Sequence, residues 1–350
     1  MVKWRIERQA APVWVRPIIP LVSIVVTFLL TAVLLVLAKA DPFVAFYNFL
    51  IAPLSDSSSA IEVLVKSTPL LFTGASVTFA FAAGYWNIGA EGQLLAGAIA
   101  AAGMGILVKG VLPVLAIPLM VISGFTAGMA WALIPALLKI KLAVDEVVTT
   151  LLMNTIIAFL VSFLLNGVWR DPVSGWPQSP NIADEAVFPK LIPLSRLHLG
   201  FIIAWIVIGI TWVVLKRSAL GLRMRSVGLG QDAARFAGVN INRTMLIAAL
   251  VSGGIAGIAG VSEVAGIQFH LIDTISPGYG YTGIIAAMLG GLNPLGVSLA
   301  SLFIGLIETG AQSVSWATGV PIYLGNVVEA ALLLVTLSML LIQNYRIRRA

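Results

Sequence analysis

Long apolar segments without acidic or basic side chains recur along the chain. A helix over the first of them, residues 18–38, would be about 30 Å long at roughly 1.5 Å per residue, which matches the hydrocarbon core of a bilayer. A membrane-spanning strand would need only about ten residues, with lipid-facing positions alternating along it. The unbroken apolar character therefore predicts transmembrane helices, which satisfy their own backbone hydrogen bonds in lipid.

Ten such helices are predicted, and together they make an all-α, polytopic membrane bundle. The eighth is short and rich in glycine. The predicted spans are residues 18–38, 61–83, 88–108, 113–138, 147–167, 199–215, 243–263, 281–292, 295–317 and 321–342.

The composition agrees with lipid as the main solvent. Hydrophobic residues make up 59% of the 350 residues and charged residues only 10%, against about 25% charged residues in a typical soluble protein. We therefore treat residues 1–350 as a single transmembrane domain. Cysteine is absent and only two histidines occur, so disulfides, thiol chemistry and a histidine-based metal site are excluded. Neither a G-x-x-x-x-G-K-[ST] phosphate loop nor a G-x-S-x-G motif is present, and we expect no catalytic residue and no bound cofactor.

Lysine and arginine are distributed unevenly between the two sides of the spans. With both the N- and C-termini in the cytoplasm, fifteen of these cations fall on the cytoplasmic side, five fall on the other side, and Lys66 lies within a span. The bias follows the positive-inside rule and requires an even number of spans. The isoelectric point of about 9.7 is therefore interpreted as a topology signal and not as nucleic-acid binding. Residues 168–198 are predicted as a turn-rich external loop, and residues 216–243 as a cytoplasmic segment.

The cytoplasmic segment contains one short predicted helix. Gly228 and Gly230 are expected to break the chain, so that residues 231–237 form the helix and Gly238 ends it. The apolar side chain of Phe236 would then be exposed and would need a partner. Docking into a groove on another protein is one hypothesis for this segment, and contact with anionic lipid headgroups is the alternative.

Polar and ionisable residues also interrupt the apolar spans. Those in residues 84–93 are explained either by a water-filled cavity at membrane depth or by a short cytoplasmic turn. Glu62 and Lys66 are one helical turn apart, a spacing that favours a pair. Ionisable residues close to a membrane core are by default candidates for a functional role. Those in or near the predicted spans include Glu62, Lys66, Glu91, Glu263, Glu308 and Glu329.

Four motifs connect the chain with a known family. Residues 87–93 resemble an N-x-G-x-E-G-Q signature, and residues 233–239 resemble an A-A-x-[YF]-A-G-[IV] cytoplasmic loop. Residues 145–154 and 286–296 match further segments of the same proteins. By these motifs the chain resembles the permease subunits of bacterial ABC importers, in the group for simple sugars and branched-chain amino acids. It is most similar there to the nucleoside (guanosine-type) uptake permeases, and the resemblance covers about residues 64–340.

The resemblance implies a coupling helix in the cytoplasmic segment. A separate ATPase, which binds ATP and magnesium, would contact this helix. One departure concerns its start, where many relatives carry Asn-Pro and this chain carries Gln231 and Asp232. The residues that the resemblance assigns to ATPase coupling are Gln231, Asp232, Ala234, Arg235, Phe236 and Gly238.

The resemblance further implies a transport subunit of the bacterial inner (cytoplasmic) membrane and not an enzyme. The expected partners are membrane lipid, a cytoplasmic ABC ATPase, a second permease subunit that is a paralogue, and an extracytoplasmic substrate-binding protein or lipoprotein, without nucleic acid. The expected cargo is a small polar solute, preferably a nucleoside. A simple sugar such as ribose is an alternative cargo, and an ion-coupled secondary transporter is an alternative class. The candidate residues of the translocation path are Trp86, Asn87, Glu91, Gln93, Asn154 and Glu263.

Overall fold

The computed structural model describes residues 4–8 and 18–349. These residues form fourteen α-helices and one pair of short strands. The helices are α1 (Ile18–Leu37), α2 (Pro42–Leu50), α3 (Ala52–Ser55), α4 (Ser57–Phe81), α5 (Ala90–Leu107), α6 (Pro113–Leu142), α7 (Glu146–Asn166), α8 (Gly200–Arg217), α9 (Ala219–Leu229), α10 (Gln231–Phe236), α11 (Ile241–Glu263), α12 (Tyr279–Leu289), α13 (Pro294–Thr318) and α14 (Leu324–Asn344).

Each of the ten predicted spans has a counterpart among these helices. Within the described residues, eight helices are long and apolar enough to cross a membrane, namely α1, α4, α5, α6, α7, α8, α11 and α13. Shorter apolar helices are supplied by α12 and by the Leu324–Met339 part of α14. The predicted all-α, polytopic membrane fold is confirmed. The sequence analysis did not predict α2, α3 and α9 as helices.

A two-stranded antiparallel ladder joins the ends of the chain, and the sequence analysis did not predict it. β1 (Trp4–Arg8) pairs with β2 (Tyr345–Arg349). The pairing brings both ends of the described chain together on one side of the bundle, as an even number of spans requires. That this side is cytoplasmic stays a prediction, and the cations Lys3 and Arg16 lie outside the described residues.

The turn between α6 and α7 shows how local sequence sets a helix boundary. The carboxylate of Asp145 accepts hydrogen bonds from the backbone N–H groups of Val147 and Val148, at 2.8 and 3.1 Å. Lys139, in the last turn of α6, lies 2.6 Å from the carboxylate of Glu146. Acidic residues at a helix start and basic residues at a helix end stabilise the unpaired backbone groups there.

Glycines allow the three central helices α5, α6 and α11 to pack in backbone contact. Gly253 and Gly257 of α11 lie against Gly128 and Gly124 of α6. A Cβ atom on Gly257 would overlap the carbonyl oxygen of Gly124, and one on Gly97 of α5 would overlap the carbonyl oxygen of Gly257. Close packing of this kind drives helix association in lipid, where burial of apolar side chains between helices gains little.

The helices α9 and α10 lie at one end of the bundle, which we call the inner end. The predicted break at Gly228 is wrong, because α9 runs through this residue and ends before Gly230. Gly228 instead permits a close contact with the turn after α4, where a Cβ atom would lie 2.6 Å from the carbonyl oxygen of Ala82. The short helix begins at Gln231 as predicted, and Gly238, with φ of +78°, follows its end.

Residues 167–199 cover the opposite end of the bundle, which we call the outer end. The backbone N–H of Ala183 donates to the carbonyl oxygen of Gly105 at the end of α5, at 2.9 Å. The N–H of Phe188 donates to the carbonyl oxygen of Ala265, which follows α11, also at 2.9 Å. The turn-rich loop is thus attached to the helix ends that border the site described next.

Candidate functional site

Two adjoining cavities lie among polar residues near the outer end of the bundle. The larger, called the tyrosine cavity, has a volume of about 510 Å³, and the smaller, called the mouth cavity, has a volume of about 400 Å³. Lys66 of α4 and Tyr279 of α12 line both. Other polar residues of the tyrosine cavity are Tyr281, Thr282, Glu308, Tyr323, Asn326 and Glu329. Other polar residues of the mouth cavity are Glu62, Arg196, Glu263, Gln268, Thr274 and Gln312.

Three ionisable side chains meet in the tyrosine cavity from different helices. The ammonium group of Lys66 donates a hydrogen bond to the backbone carbonyl oxygen of Glu308 on α13, at 3.1 Å. The hydroxyl of Thr282 on α12 donates to the carboxylate of Glu329 on α14, also at 3.1 Å. Ionisable groups in a membrane bundle are costly and commonly mark the path of a polar solute. The sequence analysis identified all three residues as candidates for a functional role, and the packing of their helices brings them around one cavity.

The mouth cavity carries an ion pair that differs from the predicted one. Glu62 accepts a hydrogen bond from the guanidinium of Arg196 at 3.0 Å, and the predicted pair between Glu62 and Lys66 does not form. The physical reason is that Arg196, from the outer loop, reaches Glu62 at the more exposed end of the cavity. Lys66 is one helical turn deeper and points towards α13 instead.

The signature segment 87–93 forms a buried amide pair. Asn87 donates from its side-chain amide to the side chains of Gln93 and Ser252, both at 2.8 Å, and Gln93 donates back to Asn87 at 3.0 Å. Asn87 also accepts from the backbone N–H of Gly89 at 2.9 Å. The bond from Gly89 pairs a backbone N–H of the non-helical segment before α5, and the bond to Ser252 attaches this segment to α11. Neither amide lines the two cavities.

The start of α12 is held by residues from two other helices. The carboxylate of Glu91 on α5 accepts from the backbone N–H of Gly280, at 2.7 Å. The side chain of Asn154 on α7 donates to the hydroxyl of Tyr281 at 3.1 Å and to the carbonyl oxygen of Ile88 at 2.9 Å. We call Glu91, Asn154, Gly280 and Tyr281 the α12 junction. Because Tyr281 lines the tyrosine cavity, the α12 junction positions part of the cavity wall.

Two further path candidates lie elsewhere. Trp86 is 48% exposed and packs on Phe81 with a ring-centroid distance of 4.5 Å, outside both cavities. Glu263 is buried at the end of α11 and lines the mouth cavity. Of the six path candidates, the structure therefore places one on a cavity wall and two in the α12 junction behind the wall.

The sequence analysis missed the tyrosines that line the larger cavity. Tyr279 and Tyr281 lie in the stretch Pro-Gly-Tyr-Gly-Tyr-Thr, residues 277–282, just before and within a short apolar helix. Polar aromatic residues at the start of an unusually short membrane helix were the sequence feature that could have indicated a cavity here. Tyr323 precedes α14 and offered no comparable pattern.

The helix α10 presents polar and aromatic side chains away from the bundle. Ala234 is buried and faces the bundle, and it packs with Val227 and Met245. Phe236 on the other face is 96% exposed. Gln231, Asp232 and Arg235 are exposed as well, and the last two form only a loose ion pair at 3.8 Å. The helix is thus anchored on one face and has a free surface on the other.

Replacing Glu91 by alanine is expected to destabilise the α12 junction. The buried N–H of Gly280 would lose its acceptor, which costs about 1–3 kcal/mol. Glu91→Gln is the matched control, because its amide oxygen can still accept the hydrogen bond from Gly280. The measurement is the melting temperature of the purified protein in detergent. Equal melting temperatures for the two variants would contradict the assigned role of Glu91.

Comparison with known proteins places these features in a family context. A family model described as the permease component of a branched-chain amino acid transport system matches residues 59–337. No solved structure matches the chain.

Three relatives cover most of the chain. The glucose ABC transporter permease protein TsgB13 of Haloferax volcanii is 34% identical over 97% of this chain and 92% of its own length. The guanosine ABC transporter permease protein NupP of Bacillus subtilis is 33% identical, over 78% of this chain and 79% of its own. The nucleoside ABC transporter permease protein NupB of Lactococcus lactis is 31% identical, over 90% and 89% respectively. The last two organisms each have a second ABC transporter permease that matches this chain at 27% identity.

Proposed function

The chain belongs to the family of branched-chain amino acid transport system permease components, and we propose that, as the permease of an ABC importer, it carries a nucleoside. It is a multi-pass protein of the inner (cytoplasmic) membrane, and it is a transport component rather than an enzyme. The ion-coupled transporter considered from the sequence is set aside, because the relatives are ABC transporter permeases.

The observation that carries the nucleoside proposal is the chemistry of the tyrosine cavity. A volume of about 510 Å³ lies within the range of small-molecule sites, roughly 300–1,000 Å³. Tyr279, Tyr281 and Tyr323 offer flat faces for a base, and Lys66 and Glu329 offer hydrogen-bonding partners for a sugar. Two relatives named for guanosine and nucleosides support this choice, and the relative named for glucose makes a simple sugar the second candidate.

We infer that the partners are those of a complete importer. The free face of α10, with Arg235 and Phe236, would dock on a cytoplasmic ATPase that holds ATP and magnesium, while the chain itself binds no cofactor. A second permease subunit, a paralogue of this chain, would face it across the path, and the paired permeases of two organisms support this arrangement. A substrate-binding protein or lipoprotein would deliver the solute to the outer loop.

A continuous set of contacts is available to carry the motion of the ATPase to the cavity. The docking helix α10 follows α9, which packs through Gly228 against Ala82. The signature segment follows that turn and contains Glu91, whose carboxylate accepts a hydrogen bond from Gly280 at the start of α12. We propose that ATP-driven movement of α9 and α10 shifts α12 along this route, so that the two partners bias the bundle between two packings.

The proposal predicts ATP-dependent accumulation of guanosine. Cells without their own nucleoside uptake would express this chain with its ATPase, its second permease and its binding protein, and would receive labelled guanosine. We expect uptake against the gradient, and none when the ATPase is inactivated. Accumulation of labelled glucose without accumulation of guanosine would show that the cargo is a sugar and not a nucleoside. Uptake that survives without the ATPase would contradict the importer mechanism.

A further inference from the structure

The tyrosine cavity contains more hydrogen-bonding capacity than the protein itself uses. The ammonium group of Lys66 can donate three hydrogen bonds, and one goes to the backbone of Glu308. Glu329 uses one carboxylate oxygen to accept from Thr282. Among the described residues, the carboxylate of Glu308 has no hydrogen-bond partner. Several donor and acceptor positions therefore remain on three side chains of one cavity.

These ionisable groups line the cavity and do not pair with one another directly. Within the described part of the chain, no carboxylate oxygen lies within 4.0 Å of the Lys66 ammonium. Glu329 is only 7% exposed, so bulk water does not replace the missing partners freely. Ionisable groups in a membrane bundle are costly unless a polar partner occupies the space between them. The arrangement is therefore typical of a binding site for a polar solute.

We propose that Lys66, Glu308 and Glu329 form a subsite that binds the neighbouring hydroxyl groups of a sugar ring during transport. Two adjacent hydroxyls can donate to carboxylate oxygens, and their own oxygens can accept from an ammonium group. Hydrogen bonds to charged groups are stronger than those between neutral groups, which makes the hydroxyls a strong determinant of selectivity. Tyr279 and Tyr281 border the same space and leave room for the remainder of the solute.

The subsite deepens the proposed function without depending on the nucleoside assignment. A nucleoside and a free sugar share the feature that the subsite binds, namely neighbouring hydroxyls on a ring. The chain is similar both to a relative named for guanosine and to one named for glucose, and each of these two compounds has neighbouring hydroxyls on a ring. An experiment can therefore contradict the nucleoside proposal without contradicting the subsite, and the reverse.

The test compares solutes that differ only in ring hydroxyls. Vesicles containing the complete importer would receive guanosine or 2′,3′-dideoxyguanosine, and in a second arm D-glucose or 2-deoxy-D-glucose. The quantity compared is the ratio of initial uptake rates within each pair, for the unaltered chain and for Glu308→Met. Both proteins use the same substrate-binding protein, so its own preference cancels in the comparison. Glu308 is the best position, because its carboxylate makes no hydrogen bond to the described protein.

In the pair that is carried, the preference for the hydroxylated solute is expected to fall about tenfold in Glu308→Met. Glu308→Gln should fall between the unaltered chain and Glu308→Met, because an amide oxygen still accepts a hydrogen bond but has no charge. The matched control is Asp56→Asn, which removes an exposed carboxylate before α4 that lines neither cavity, and asparagine caps a helix as well as aspartate does. Its uptake ratio is expected to stay at the value of the unaltered chain.

Each outcome decides the proposal. Loss of preference in the guanosine pair supports both the subsite and the nucleoside, and loss in the glucose pair supports the subsite and overturns the nucleoside. An unchanged ratio in an active Glu308→Met importer overturns the subsite, as does an unaltered importer that carries neither pair. If Glu308→Met does not assemble, Glu329→Gln removes the charge of a second carboxyl group of the subsite, keeps an oxygen that accepts from Thr282, and must lower the ratio in the same direction.

Discussion

Replacing Gly257 by leucine is expected to remove nearly all folded protein from the membrane. Gly257 lies where α11 meets both neighbouring central helices, and a side chain there would overlap the backbone of α6 at Gly124 and Gly128. Ordinary overpacking of a core costs about 1–3 kcal/mol, and here rigid backbone replaces the side chains that would otherwise adjust. Because a change of 1–2 kcal/mol alters the ratio of folded to unfolded protein by about 5–30-fold, we expect at least a tenfold loss.

The matched control for this variant is Gly209→Leu. Gly209 is on the exposed face of α8, and a Cβ atom there meets nothing within 4 Å. The same chemical change should therefore leave the amount of folded protein unaltered. The measurement is the quantity of membrane-inserted protein that elutes as one symmetric peak in detergent. Equal yields of the two variants would contradict the role of the glycine contacts.

Replacing Phe236 by aspartate is expected to abolish transport while leaving the fold intact. The side chain is 96% exposed on α10, so its loss removes no contact within the chain. In the proposed complex it would be a central aromatic contact with the ATPase, and such contacts contribute 2 kcal/mol or more, about thirtyfold in affinity. We therefore expect the ATPase to be lost during co-purification and uptake to fall to background.

Phe236→Leu is the control, because it keeps an apolar side chain at the same position. It should retain most of the ATPase binding and most of the uptake. The measurements are the ratio of ATPase to permease after affinity purification and the rate of solute uptake in the same preparation. Full ATPase co-purification with normal uptake in Phe236→Asp would count against docking through α10.

The two uses of glycine explain one difference between sequence and structure. Gly230 and Gly238 border the short helix α10 as predicted, whereas Gly228 lies inside α9. A glycine can interrupt a helix or permit the close approach of another backbone. Which of these applies at Gly228 depends on Ala82, which lies far away in the sequence.

The candidate site was only partly accessible to sequence analysis for a related reason. Lys66 and Glu329 can be identified as candidates from the sequence, because an ionisable residue in an apolar span is unusual whichever way its side chain points. Asn87 and Gln93 look equally unusual, but they bind each other and Ser252 of α11, and so do not reach the cavities. The sequence does not state which polar residues satisfy one another.

The sequence by itself determined the membrane class, the approximate spans and the exposed helix α10, because each depends on residues that are close together in the chain. An apolar run long enough to cross lipid must form a helix, wherever its neighbours lie. Only the tertiary structure decided that α4, α12, α13 and α14 surround one cavity, and that Glu91 supports α12 from behind its wall. These features depend on how helices distant in sequence pack, and that packing is set by backbone contacts such as those at Gly257, which no local pattern specifies.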